Sequence, residues 1–191
     1  MQRGFKAEAE RLAERTRTQM GLRPHDRLDI RGLADHLNVE VLSADKLVDR
    51  SQLEELEQIQ PGAFSAATFQ LHNGRTVAVY NPCNDPGRTN SDIGHELGHL
   101  LLDHDVREIQ QLAGHTFFTC DPEQEQEATW LAGCLLLPRP LLLREAYNGT
   151  TPTSLAIKYQ VSEDMARFRL NTSGVLLQAR RARAVRAANS S

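Results

Sequence analysis

The sequence predicts an α+β fold, in which helices pack on a small mixed or antiparallel sheet and a helix-turn-helix-like helical appendage follows. Three observations lead to this class. Amphipathic helical patterns begin the chain, two strand-like runs flank an Asn-Gly pair in its middle, and apolar helical patterns fill its second half. With 191 residues and 40% hydrophobic content, the chain can bury one good core and carry a small appendage.

The N-terminal third is predicted to form two helices and a strand. Apolar residues recur at helical spacing over residues 5–20, which indicates a surface helix with one buried stripe. Asp29 is a suitable N-cap for a second, short helix, and the run 39–42 resembles a strand. The acidic segment 43–60 is ambiguous, and its apolar residues favour one or two helical turns.

The middle of the chain predicts a β-hairpin. Asn73-Gly74 is the strongest short hairpin signal, and it stands between strand-like runs at 64–71 and 76–80. We expect the strand 76–80 to be an exposed edge that can bind an extended peptide through backbone hydrogen bonds, with an ordinary edge strand as the alternative. A loop then leads to residues 89–92, which are predicted to cap the next helix.

That next helix contains His95-Glu96-Leu97-Gly98-His99, an instance of HExxH. In a helix the two histidines stand one turn apart on one face, so both imidazoles can reach a single metal ion. Zinc fits this donor pair best, and Glu96 lies beside the pair, where its carboxylate can accept a proton from an attacking water. We therefore predict one Zn²⁺ per chain, with His95 and His99 as ligands and Glu96 as general base.

A catalytic zinc site usually has three protein ligands, so a further donor is required. If the chain turned sharply after the helix, Asp105 would provide it. However, Leu102 stands where such proteins have a turn-making glycine, and the helix then has no evident way to break there.

A second source of the third ligand is the helix predicted over 123–137. Glu125 lies about 60° from the centre of its apolar face, whereas Glu127 lies at about 100° and Glu123 at about 140°. Glu125 therefore points most nearly inward, and Thr129 one turn later is suited to a hydrogen bond with a ligand. We favour Glu125, with Asp105 as the alternative.

Residues 151–191 are predicted to form the helical appendage with a basic end. The segment 154–170 has the spacing of a helix-turn-helix, in which Gln160 replaces the preferred glycine and Ser162 caps the second helix. Residues 139–191 carry 9 Lys and Arg against 3 Asp and Glu, whereas the rest of the chain carries 13 against 22. The tail can pack on its own domain, dock a protein partner or bind DNA phosphates. The arginines available for phosphates are Arg167, Arg169, Arg180, Arg181, Arg183 and Arg186.

Two motifs together resemble the ImmA/IrrE family of metallo-endopeptidases. The first runs from 87 to 104 and includes HELGH. The second, from 125 to 138, is similar to the family pattern E-x-E-A-x-x-F-A-x-x-L-L-x-P. This sequence departs from the pattern at Leu131, where an aromatic residue is usual, and at Thr129, where asparagine is usual.

The resemblance implies a zincin-like metallopeptidase domain over residues 1–150, ahead of the helical tail. It implies that His95 and His99 are metal ligands, that Glu96 is the base and that Glu125 is the third ligand. Members of this family are typically intracellular and cleave a helix-turn-helix repressor of a mobile element or stress response. The expected function is therefore that of a zinc-dependent endopeptidase with such a repressor as its partner.

Other observations limit the alternatives. No apolar run approaches transmembrane length and the N-terminus has no apolar signal core, so we expect a cytoplasmic protein without a membrane partner. Three widely separated cysteines argue against a disulfide framework and against a thiolate zinc site.

The rival functions are a metal-containing, DNA-binding transcriptional regulator without protease activity, and a structural interaction protein without stoichiometric metal. The candidates for an oxyanion-stabilising group are Tyr80, His104, His115 and Tyr147.

Overall fold

Helices and a small mixed sheet make up the fold, which confirms the predicted α+β class. The structure is a computed structural model that describes residues 3–104, 109–112, 115–118 and 121–188. The helices are α1 (Phe5–Gln19), α2 (Ile30–His36), α3 (Arg50–Ile59), α4 (Pro86–Leu101), α5 (Pro122–Leu136), α6 (Arg139–Tyr147), α7 (Pro152–Tyr159), α8 (Glu163–Thr172) and α9 (Val175–Ala188). The strands are β1 (Val39–Ser43), β2 (Ala66–Gln70), β3 (Thr76–Tyr80), β4 (Ile109–Leu112) and β5 (His115–Phe118). Among the described residues, no helix combines the length and the apolar character needed to cross a membrane.

Strand β3 lies at the centre of the three-stranded sheet. It pairs with β1 in parallel and with β2 in antiparallel orientation, and β4 and β5 form a separate pair. The predicted hairpin is confirmed, and Gly74 in its turn adopts a φ of 79°, a value that favours glycine. The prediction that residues 76–80 form an exposed edge is wrong, because β3 is paired on both sides. Within the described residues, the edge left uncovered near the candidate site belongs to β2.

The start of α4 lies one turn earlier than predicted. The Asp85 carboxylate accepts hydrogen bonds from the backbone N–H groups of Gly87 and Arg88, and Pro86 takes the first helical position. The prediction of capping residues at 89–92 is therefore wrong, since these residues lie inside the helix. By contrast, the N-cap predicted for α2 is confirmed, because its aspartate accepts two backbone N–H groups.

Helices α4 and α5 approach each other closely because small residues lie between them. A Cβ atom added to Gly98 would lie 3.0 Å from the carbonyl oxygen of Ala128, and one added to Gly94 would lie 3.1 Å from Cδ1 of Leu136. Leu97, on the same helix, is fully buried, and burial of such a side chain contributes about 2 kcal/mol. This packing brings the polar face of α4 within side-chain reach of the first turns of α5.

The tail helices α7 to α9 share the core of the preceding helices. Leu155, Met165 and Leu170 belong to the same buried cluster as Leu97 and Leu135. The predicted cap of α8 is confirmed, because its serine hydroxyl accepts the backbone N–H three residues later. The packing is thus continuous across residue 150, while the domain boundary there stays a prediction.

The arginines of the tail differ in their availability. Arg169 is fully buried, and its guanidinium donates to the Leu137 carbonyl and the Glu10 carboxylate. The prediction that Arg169 contacts DNA phosphates is therefore wrong. Arg183 donates to two backbone carbonyls at the end of α6, where a cation complements the helix C-terminus. Arg167 is exposed.

A buried carboxylate joins α6 to α7. Glu145 accepts hydrogen bonds from the Tyr159 hydroxyl at 2.7 Å, from Lys158 Nζ at 2.9 Å and from the Thr150 hydroxyl at 3.1 Å. Burial raises the pKa of Glu145, but hydrogen bonds from these three donors outweigh burial and hold the pKa below its ordinary value. The ionised carboxylate therefore stabilises the junction between these two helices.

Candidate metal centre

Three candidate ligands meet where α4 passes α5. His95 and His99 project from α4 and Glu125 from α5, and one donor atom of each lies within 4.8 Å of the other two. The two imidazole Nε2 atoms are 3.1 Å apart. Glu125 Oε2 lies 3.0 Å from Nε2 of His95, and Glu125 Oε1 lies 3.5 Å from Nε2 of His99. The structure thus brings together the three residues that the sequence selected.

The chemistry of this donor set fits zinc. Two imidazole nitrogens and one carboxylate oxygen form the ligand set of one class of catalytic zinc site, in which a fourth position stays open for water or substrate. His95 and His99 both turn Nε2 towards Glu125 and direct Nδ1 towards an outer partner. Such outer partners fix the ring orientation that a metal ligand requires.

The outer partner of His95 is Thr129. Its hydroxyl oxygen lies 3.2 Å from Nδ1 of His95, which confirms the expected contact with a candidate ligand. The hydroxyl can accept the Nδ1 hydrogen and leave the Nε2 lone pair free for a cation. Threonine therefore makes this contact although asparagine is usual at its position.

The outer partner of His99 is His104, which sequence reasoning had considered only as an oxyanion-stabilising group. The Nδ1 atoms of these two histidines lie 3.0 Å apart. Nε2 of His104 in turn lies 3.5 Å from Oε2 of Glu127, the glutamate that the helical angle had placed away from the apolar face of α5. The sequence does show that these two histidines lie five residues apart. This spacing predicts a contact between them only if the helix ends before His104.

Helix α4 does end between them. Asp103 adopts a φ of 52°, and the backbone N–H of His104 donates to the carbonyl of His99 at 3.1 Å. Glycine usually makes this left-handed termination, and aspartate is among the few other residues that adopt it. The expectation that the helix cannot break near Leu102 is therefore wrong. Asp105, the alternative ligand, lies outside the described residues.

Glu96 lies beside the ligand set and is buried, with 4% of its surface exposed. Together with His95 it lines a groove of about 700 Å³. Every residue from 62 to 70 also lines this groove, so the groove follows β2 and the segment before it. The Glu96 carboxylate, which the sequence predicts to be the general base, thus faces a space large enough for an extended peptide.

A charged pair flanks the same groove. Arg88 Nε lies 3.1 Å from both carboxylate oxygens of Asp92, and Arg88 also donates to the Ser65 hydroxyl at 3.1 Å. Burial raises the pKa of Asp92, and the nearby guanidinium opposes that effect. The pair thus links α4 to the segment that precedes β2.

The structure does not place the tyrosine candidates for oxyanion stabilisation at this groove. Tyr80 ends β3, where the Arg31 guanidinium lies 5.3 Å from the centre of its ring. Tyr147 ends α6, and neither tyrosine is among the described residues that line the groove. The side chain of His115 lies outside the described part of the chain.

The chain matches a known protein family. The family Peptidase_M78, described as the IrrE N-terminal-like domain, matches residues 50–171. This segment contains both motifs that define the candidate site, and it extends from the start of α3 into α8. Neither the curated proteins nor the solved structures gave a match.

Proposed function

The chain belongs to the Peptidase_M78 family and is thus a protein of the metallopeptidase type, and we propose that it is a zinc-dependent endopeptidase. The observation that carries this proposal is the convergence of His95, His99 and Glu125 beside the buried Glu96. A purely structural site would have no need of a groove that reaches the ligand set. Here the groove along β2 reaches His95 and Glu96, as a substrate-binding cleft should.

Each residue of the centre has a defined task. His95 and His99 would hold the metal through Nε2, and Glu125 would hold it through its carboxylate. The bound metal supplies Lewis-acid chemistry, which polarises a peptide carbonyl and acidifies a water. Glu96 accepts the proton of the attacking water and delivers it to the leaving amine, while its burial limits competition from bulk solvent.

The substrate segment would lie along β2. Because this edge is uncovered by described strands, an extended peptide can pair with it and gain backbone hydrogen bonds. Such pairing gives affinity with little sequence discrimination, so a narrow specificity needs a second contact. We therefore propose that the substrate pairs with β2 and not with β3, the strand for which the sequence predicts this pairing.

The second contact would be made by the basic tail with a helix-turn-helix repressor that offers an acidic surface. Arg180 and Arg181 on α9 are exposed and are available for such docking. DNA binding is the weaker alternative, because Arg169 and Arg183 are already engaged in internal hydrogen bonds. Docking through exposed charges should weaken as salt concentration rises.

The experiment combines metal analysis with two cleavage assays. Purified protein should contain one zinc per chain, and removal of zinc should abolish cleavage of a candidate repressor until zinc is restored. Reversal of charge at Arg180 and Arg181 to glutamate should slow cleavage of the repressor and leave cleavage of a short peptide unchanged. These substitutions are preferable to removal of residues 151–191, because removal would expose the shared core. A metal-replete protein that cuts neither substrate would contradict the proposal.

A further inference from the structure

We propose that His104 and Glu127 form an outer relay of polar contacts that orients His99 for the metal. The relay runs from Nδ1 of His99 to Nδ1 of His104, and from Nε2 of His104 to the carboxylate of Glu127. His104 is in this view a positioning residue and does not touch the substrate. The inference rests on the proposed function only in taking His99 as a metal ligand.

The two contacts of His104 set the positions of the hydrogen atoms in the relay. Two neutral imidazole nitrogens that lie 3.0 Å apart share one hydrogen. If His99 gives its Nε2 lone pair to a metal, its Nδ1 bears the hydrogen and donates to His104. Nε2 of His104 then bears a hydrogen and lies 3.5 Å from the Glu127 carboxylate, whose negative charge favours a hydrogen at that position. The Glu127 carboxylate, at the far end of the relay, thus favours the His99 tautomer whose Nε2 lone pair is free for a metal.

The relay is also shielded from water. Only 8% of the His104 side chain and 14% of the Glu127 side chain are exposed. Buried polar groups lose stabilisation unless they find partners, so the contact between these two residues is the arrangement expected of a built network. The hydroxyl of Thr129 faces His95 on the other side, so each histidine ligand has its own outer partner.

The backbone conformation of Asp103 supports the same proposal. His104 reaches His99 only because Asp103 takes the left-handed conformation, with a φ of 52°. A positive φ is uncommon in residues other than glycine, and here it makes the turn that returns the His104 ring to a position beside His99.

The test is the zinc affinity of the full chain, measured by competition with a chromophoric chelator and without any substrate. His104→Leu should weaken zinc binding by about 10- to 100-fold. His104→Asn should recover most of that loss, since an amide oxygen near the Nδ1 position can accept the hydrogen from His99. The matched control is His36→Leu, which changes an exposed histidine on α2 and should leave the affinity unchanged.

A second pair of variants tests the far end of the relay without altering the end of α4. Glu127→Leu should weaken zinc binding more than Glu127→Gln, because glutamine keeps an acceptor oxygen. The visible spectrum of the Co²⁺-substituted protein should shift in His104→Leu and return towards the wild-type spectrum in His104→Asn. Thermal unfolding of each metal-free variant shows whether the fold is retained.

Equal zinc affinities for wild type and His104→Leu would overturn the relay. The same holds if both His104 variants, or both Glu127 variants, lose affinity equally while they remain folded. Failure of the wild-type chain to bind zinc would instead overturn the proposed function itself. The two failures are thus distinguished by the wild-type measurement alone.

Discussion

The close approach of α4 and α5 predicts that Gly98→Ala weakens metal binding without unfolding the protein. The added Cβ would lie 3.0 Å from the Ala128 carbonyl oxygen and 3.5 Å from its carbonyl carbon, so it would meet backbone and not a flexible side chain. Ordinary contact requires a separation larger by roughly 0.4 Å. Helix α5 must therefore move away from α4 by a few tenths of an ångström.

That movement acts directly on the ligand set. Ala128 lies less than one turn from Glu125, so both shift together relative to the histidines of α4. Metal ligand distances tolerate deviations of only about 0.2 Å, and we expect zinc affinity to fall by about tenfold, or ~1.4 kcal/mol. The stability of the metal-free protein should change little, because alanine gains about 1 kcal/mol of helix propensity and the crowding costs about the same.

Gly94→Ala provides the matched control. Its Cβ would meet the end of the Leu136 side chain at 3.1 Å, a contact that can relax and that lies three turns from Glu125. Zinc competition titrations and thermal unfolding of the metal-free proteins would compare the two variants with wild type. Unchanged affinity in Gly98→Ala, or an equal loss in Gly94→Ala, would refute the argument that helix spacing sets the metal geometry.

Three further predictions concern single carboxylates. Glu96→Gln should keep its metal and lower turnover by roughly two to four orders of magnitude, and near-normal cleavage by the metallated variant would exclude Glu96 as the base. Glu125→Ala should lose zinc on dialysis and Asp105→Ala should retain it, whereas the opposite pattern of metal content would favour the sharp-turn ligand. Glu145→Gln should lower the free energy of unfolding by about 2 kcal/mol at neutral pH. Because the folded pKa of Glu145 is depressed, its contribution is present above the unfolded value of 4.5 and is lost as pH falls through the folded pKa. Denaturation curves of wild type and Glu145→Gln should therefore converge in acid, and a constant gap at all pH values would contradict this assignment.

Features that depend on residues close to one another in the sequence were predictable. The Asn73-Gly74 turn, the Asp29 cap and the placement of His95 and His99 on one helical face follow from the period of the local structure. The same period selected Glu125, because its angle relative to the apolar face of α5 decides which glutamate points inward. In each case the relevant geometry is set within about one helical turn or one hairpin.

Features that depend on tertiary contacts were not predictable in this way. The central position of β3 results from a parallel pairing with β1, which lies more than thirty residues earlier in the chain and leaves no local signal. The burial of Arg169 depends on a partner in α1, although its charge suggested an exposed site. The left-handed Asp103 was missed because propensity favours glycine there, so the role of His104 was missed with it.

We expect the scaffold of the candidate centre to fold without the metal. The ligands project from α4 and α5, which are already joined by fully buried side chains such as Leu97 and Leu135. Small metal-dependent domains differ, because in them the binding energy of the metal is the folding energy. Here zinc should add only the stabilisation that follows from its concentration relative to its dissociation constant. Metal affinity and fold stability are therefore separable quantities in this chain, so a loss of zinc binding in a folded variant reports on the geometry of the ligands.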